Sequence, residues 1–131
     1  MNRKVLSLLD LAARDVAHAQ DNLRAHPAHA AWSIQQAAEK MIKAILGQAR
    51  VSHPATTHQL DVLVALVPAG NPFRADLLDL TRLTASATKY RYPTPSGLVP
   101  EDPPEEEMVE DLRKIALLLP EVRAWIEEHD R

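Results

Sequence analysis

The sequence predicts an all-α protein: one domain over residues 1–131, built as an antiparallel, up-and-down bundle of four to five helices. Three observations carry that expectation. Only 3 Gly and few aromatic residues occur, while Ala and Leu are frequent, a composition that favours helices over strands. The long segments repeat apolar residues at steps of three and four, the period of a helix with one buried face. A hydrophobic fraction of 46% suffices for one core, and no internal repeat or low-complexity tail divides the chain.

The first helix is expected over about residues 3–24, where Val5, Leu9, Ala12, Val16, Ala19 and Leu23 form the stripe and Pro27 marks the corner. A second helix over about 28–48 carries the apolar stripe Ala31, Ile34, Ala38, Met41, Ile42 and Ile45. Its polar residues Gln35, Gln36, Glu39, Lys40 and Lys43 fall on another face, with Glu39 and Lys43 one turn apart, and it ends near Gly47. Thr56 and Gln59 fit a capping box for a short third helix whose buried residues are Leu60, Leu63, Val64 and Val67, stopped by Pro68 to Gly70. Asn71 and Pro72 suit the start of a fourth helix over about 72–89 with Phe73, Leu77, Leu80, Leu83 or Thr84, and Ala87 facing inward. Five prolines between Pro93 and Pro104 make residues 90–104 a long loop. Glu105, Glu106 and Glu107 then favour a helix start, and Met108, Leu112, Ile115, Leu119, Val122 and Ile126 continue a stripe that Pro120 is expected to kink or divide.

Composition also narrows the function. With no Cys there is no disulfide, thiolate nucleophile or thiolate metal site, in keeping with a cytoplasmic protein. Asp10 and Arg14 interrupt the first apolar stretch before a signal-peptide core is complete, and no apolar run is long enough for a bilayer, so a soluble protein with no membrane association is expected. The net charge of −3 hides a segregation: residues 1–92 carry 11 Lys and Arg against 7 Asp and Glu, whereas residues 93–131 carry 4 against 11. An acidic solvated last helix explains this, as does a device that occupies a nucleic-acid site; general coating of DNA does not fit.

Two stretches resemble one known family. Gln35-Gln36-Ala37-Ala38-Glu39-Lys40-Met41-Ile42-Lys43-Ala44-Ile45-Leu46 is similar to the second-helix signature of the HEPN domain, and Tyr90-Arg91-Tyr92-Pro93 resembles that family's arginine-tyrosine-proline element after the fourth helix. Thr57-His58-Gln59-Leu60 is similar to the histidine-containing entry to its third helix. The matches fall in family order and cover essentially the whole chain, like a small stand-alone prokaryotic member. The resemblance implies a helical bundle, frequent homodimerisation, and association with nucleotides or RNA, often with a small nucleotidyltransferase partner of toxin–antitoxin type. Several members are metal-independent ribonucleases with a late arginine, four to six residues and a histidine. That motif is missing here, since neither Arg82 nor Arg91 has a histidine at that spacing; Arg24 with His29 matches literally but straddles Pro27.

The candidate nucleotide- or RNA-binding residues are Lys40, Lys43, His58, Lys89, Tyr90, Arg91 and Tyr92. Lys89 to Tyr92 combine two cations with two rings, suited to phosphate neutralisation and base stacking. The structural alternative has Tyr92 locking the loop and Arg91 bonding helix-end carbonyls. Lys40 and Lys43 suit ligand contact or a solvated or dimer-facing surface. His58 suits capping or loop contact as well as acid–base work, His53 suits a turn, and His26 with His29 lacks a third metal ligand. Trp32 and Trp125 are expected as core or interface anchors, with base stacking the alternative. No catalytic residue, metal site or cofactor is assigned. The expected function is a dimeric nucleotide-associated partner module; the alternatives are a metal-independent ribonuclease with a non-standard site and a purely structural interaction protein.

Overall fold

In the computed structural model, which describes residues 2–54 and 56–130, the chain forms six helical segments: α1 Arg3–Asn22, α2 Pro27–Gln48, α3 Leu60–Ala65, α4 Arg74–Asp79, α5 Leu83–Lys89 and α6 Glu105–His129. The all-α bundle is therefore as the composition and periodicity predict, and the described residues contain no strand. Asn2 caps α1, its Oδ1 accepting from the backbone N–H groups of Lys4 at 3.0 Å and Val5 at 3.3 Å. Pro27 sits where α2 begins, a position at which its missing N–H costs nothing.

Helix α2 is the centre of the molecule and packs against α1, α3, α5 and α6. Its contacts with α1 run antiparallel: Asp15 of α1 pairs with Lys40, and Val5 lies beside Gly47. A Cβ on Gly47 would meet Val5 Cγ2 at 2.9 Å, so glycine here permits close helix approach. Ala12 and Ala19 of α1 and Ala30, Ala37, Ala38 and Ala44 of α2 are fully buried, extending the small-residue packing. Arg24 pairs with Glu105 and Arg123 with Asp10, which makes α6 antiparallel to α1. Gln48 Nε2 donates to the His129 carbonyl at 3.2 Å, so α2 and α6 end together.

Between α2 and α6 the chain makes its return leg in pieces. Phe73 packs edge-on to Trp125 near the end of α6, whereas Arg91 reaches Trp32 near the start of α2. The single fourth helix expected over 72–89 is replaced by α4 and α5, joined through tight i to i+3 backbone bonds from Leu80 to Leu77, Thr81 to Leu78 and Leu83 to Leu80. Thr81 Oγ1 donates to the Leu78 carbonyl at 2.8 Å, a local bond that competes with continued α-helix. The guanidinium of Arg82 then turns to α6, where it forms a two-pronged ion pair with buried Asp111.

One further expectation is corrected. Thr56 and Gln59 do not form the capping box; the first N–H of α3, that of Leu60, donates to Thr84 Oγ1 of α5 at 2.9 Å. Helix α2 ends at Gln48, as its expected bounds near Gly47 have it, and Arg50 at φ 58° closes it with Arg50 N donating to Gly47 O and Val51 N to Leu46 O. That is the Schellman pattern with an arginine in the left-handed position usual for glycine. Of the two outcomes expected at Pro120, a kink or a division, the division is not realised: α6 runs unbroken from Glu105 to His129, and both Pro120 and Ala116, the residue whose carbonyl loses its donor, are exposed. Within the polar face of α2, Gln35 and Glu39 are buried.

Candidate functional site

The last turn of α5 and the first turns of α2 meet at one end of the bundle. Arg91 N donates to the Thr88 carbonyl at 3.1 Å, folding the chain back as α5 ends, and Arg91 Cζ comes to 5.0 Å from the Trp32 ring centroid. A cation over an indole face contributes about 0.5–1 kcal/mol when exposed. Beside this pair opens a cleft of about 810 Å³, walled by Trp32, Gln35 and Gln36 of α2, His58 ahead of α3, Arg82 and Thr88 of the return leg, and Tyr92. Its volume lies in the roughly 300–1,000 Å³ range of small-molecule sites.

The polar wall is a network anchored on Glu39. Its buried carboxylate accepts from Lys43 Nζ at 3.1 Å and from Gln35 Nε2 at 3.3 Å, and His58 Nδ1 lies 3.2 Å from both oxygens. Gln35 Nε2 also donates to the His58 carbonyl, and Gln36 Nε2 to Gln35 Oε1 at 2.8 Å. Burial acts to raise the Glu39 pKa, but the hydrogen bonds from His58, Lys43 and Gln35 outweigh it and hold the carboxyl below its ordinary value. A carboxylate with no proton only accepts, so His58 presents Nδ1–H to Glu39 and keeps Nε2 as the nitrogen available to a ligand. The His58 side chain is 68% exposed while that of Glu39 is 5% exposed, a solvent-facing imidazole on a buried support. On the opposite wall, the hydrogen bonds to Asp111 raise the Arg82 pKa further above its already high value, and half of the Arg82 side chain remains exposed.

Of the candidate residues, the fold gathers His58, Arg91 and Tyr92 at this cleft. Lys43 stands behind His58, held by Glu39, and Lys40 is turned to Asp15 of α1. Lys89 Nζ lies 5.5 Å from the Tyr90 ring centroid, and these two line a neighbouring cleft of about 620 Å³ against the proline-rich loop. The loop-locking alternative is redistributed: Tyr90 packs against the core, Tyr92 is 63% exposed, and Arg91 stacks on Trp32. Trp125 packs on Phe73 as an anchor, whereas Trp32 is a half-buried cleft wall. The sequence reading did not place Trp32, Gln35, Gln36 or Arg82 among the site residues. The only local signal was the polar face of α2, since the pairings that bring these side chains together span long stretches of chain.

Among the described residues, no group of three or more His, Asp or Glu is arranged to hold a metal ion, and no helix is long and apolar enough to cross a membrane. No curated protein and no solved structure matches the sequence. The family model of the HEPN domain matches residues 5–128, nearly the whole chain. With the helical order and the second-helix and Tyr90–Pro93 elements in place, the chain belongs to the HEPN domain family.

Proposed function

We propose that the protein is a cytoplasmic, homodimeric nucleotide-associated module whose cleft between α2 and α5 takes a nucleotide or short RNA, and that it serves a minimal nucleotidyltransferase of toxin–antitoxin type. The observation that carries the binding reading is the cleft itself, where Arg91, Trp32, Tyr92 and His58 offer charge, ring faces and hydrogen bonds in one open volume of about 810 Å³. Family membership supports the dimer and the partner. Arg91→Gln tests the site: the helical melting transition is expected to stay within a few degrees, while nucleotide or RNA affinity falls roughly tenfold and its salt dependence flattens by about one phosphate contact. Unchanged affinity with a large loss of stability in calorimetry and thermal melts makes Arg91 a loop anchor instead.

The Glu39–His58 contact favours a second reading, a metal-independent ribonuclease with a non-standard site. There His58 Nε2 takes the proton of a ribose 2′-hydroxyl as its oxygen attacks the adjacent phosphorus, Arg91 stabilises the charge on the phosphate, and water protonates the departing 5′-oxygen. Metal-free incubation with mixed RNA separates the readings. Cleavage to 2′,3′-cyclic phosphate ends that vanishes in His58→Ala selects the enzyme; intact RNA selects the binding module.

A further inference from the structure

The cleft beside Trp32 and its 620 Å³ neighbour share two wall residues, Thr88 and the exposed Tyr92. Two cations two positions apart supply them with matching chemistry. Arg91 meets a tryptophan ring in the first, and Lys89 meets a tyrosine ring in the second. The outer wall of the second cleft is shaped by its own bonds: Gly97 N donates to the Thr94 carbonyl and Thr94 N to the Leu98 carbonyl, both at 2.8 Å, with Gly97 at φ 81° closing the turn. Pro93 and Pro100 give that cleft apolar surface, while Glu101 and Asp102 give it acceptors. Carboxylates repel phosphate but accept from ribose hydroxyls and exocyclic amines, so the two clefts suit different parts of one polar ligand.

From this arrangement we propose that the two clefts are adjoining subsites of a single site, divided by Tyr92, whose occupant is a single-stranded ribonucleic acid of at least two nucleotides. The connecting phosphate lies on the Arg91 side, and the second nucleoside passes Tyr92 with its base against Lys89, Tyr90 and the prolines and its hydroxyls toward Glu101 and Asp102. Either volume alone is that of a small-molecule site, and the shared ring gives successive bases a surface on which to stack. The proposal rests on the nucleotide-binding reading above and narrows it from a nucleotide or short RNA to an oligonucleotide that spans both clefts.

Calorimetry with adenosine and uridine 5′-monophosphates, the 5′-phosphorylated ribodinucleotides of the same bases, and their 2′-deoxy forms tests it. The ribodinucleotides are expected to bind at least tenfold more tightly than the monophosphates and severalfold more tightly than the deoxy forms. Lys89→Gln, at an exposed side chain, is expected to erase most of the dinucleotide gain and leave monophosphate affinity within twofold, whereas Arg91→Gln weakens both. Equal affinity for mono- and dinucleotides, or a Lys89→Gln effect of the same size on each, overturns the two-subsite arrangement while leaving the nucleotide-binding reading intact. A dinucleotide gain that is indifferent to the 2′-hydroxyl overturns the ribose assignment. No binding of any of these probes at millimolar concentration overturns both readings.

Discussion

Glu39 is the residue on which most of the site depends, because one buried carboxylate orients His58, holds Lys43 and receives Gln35. Folding holds this carboxyl below its ordinary pKa, so the unfolded chain binds more protons as the medium becomes acidic. The sign follows directly: the contribution of Glu39 to stability is present in full above about pH 5 and drains away as pH falls through the lowered folded value. Urea denaturation of the wild type and Glu39→Gln between pH 3 and pH 7 is expected to show a difference near neutrality that narrows on acidification. Parallel curves at every pH dissociate Glu39 from the acid limb. At this scale the sequence was half legible. Glu39 and Lys43 at four-residue spacing announced their pairing, but His58, nineteen positions after Glu39, joins them only through the fold.

Among the elements, α6 is the one whose sequence argues against its own continuity. Pro120 removes a backbone donor, yet the helix passes through it, with Ala116, whose carbonyl loses that donor, an exposed residue. Pro120→Ala is therefore expected to restore that bond and stabilise the protein by about 1–3 kcal/mol, seen as a melting temperature several degrees higher. A lower melting temperature means that a bend at this point is built into the core packing. The long helices α1, α2 and α6 were readable from periodicity, since a stripe such as Val5, Leu9, Ala12, Val16 and Ala19 records burial directly. The short ones were not. The stripe Phe73, Leu77, Leu80, Leu83 and Ala87 is buried as the periodicity indicates, but a stripe records which side is buried and not whether the backbone turns between its members. At the break from Leu80 to Arg82 the Arg82 side chain reaches Asp111, and the N-terminus of α3 is satisfied by Thr84, pairings 29 and 24 residues apart that no local pattern contains.

On the scale of the whole molecule, the described residues leave no buried side-chain nitrogen or oxygen without a partner, so the bundle itself is internally satisfied. Its surface is less so: Val62 of α3, Leu66 just after that helix and Leu78 of α4 are apolar side chains between 36% and 48% exposed. These helical surfaces suit the proposed homodimer, and light scattering over a dilution series is expected to give twice the chain mass down to low micromolar concentration. A monomeric mass at high micromolar concentration removes the dimer. The segmented return leg has a different consequence, one of timing. Helices of six or seven residues hold no stability of their own, so α3, α4 and α5 depend on the frame made by α1, α2 and α6. That leg is the region expected to open first, and its amide protons to exchange with solvent well before those of α2, which hydrogen-exchange mass spectrometry resolves. Because Arg82, Thr88 and Tyr92 stand on it or at its end, a ligand in the cleft would latch the leg to the frame, and occupancy would be written in slower exchange along α5.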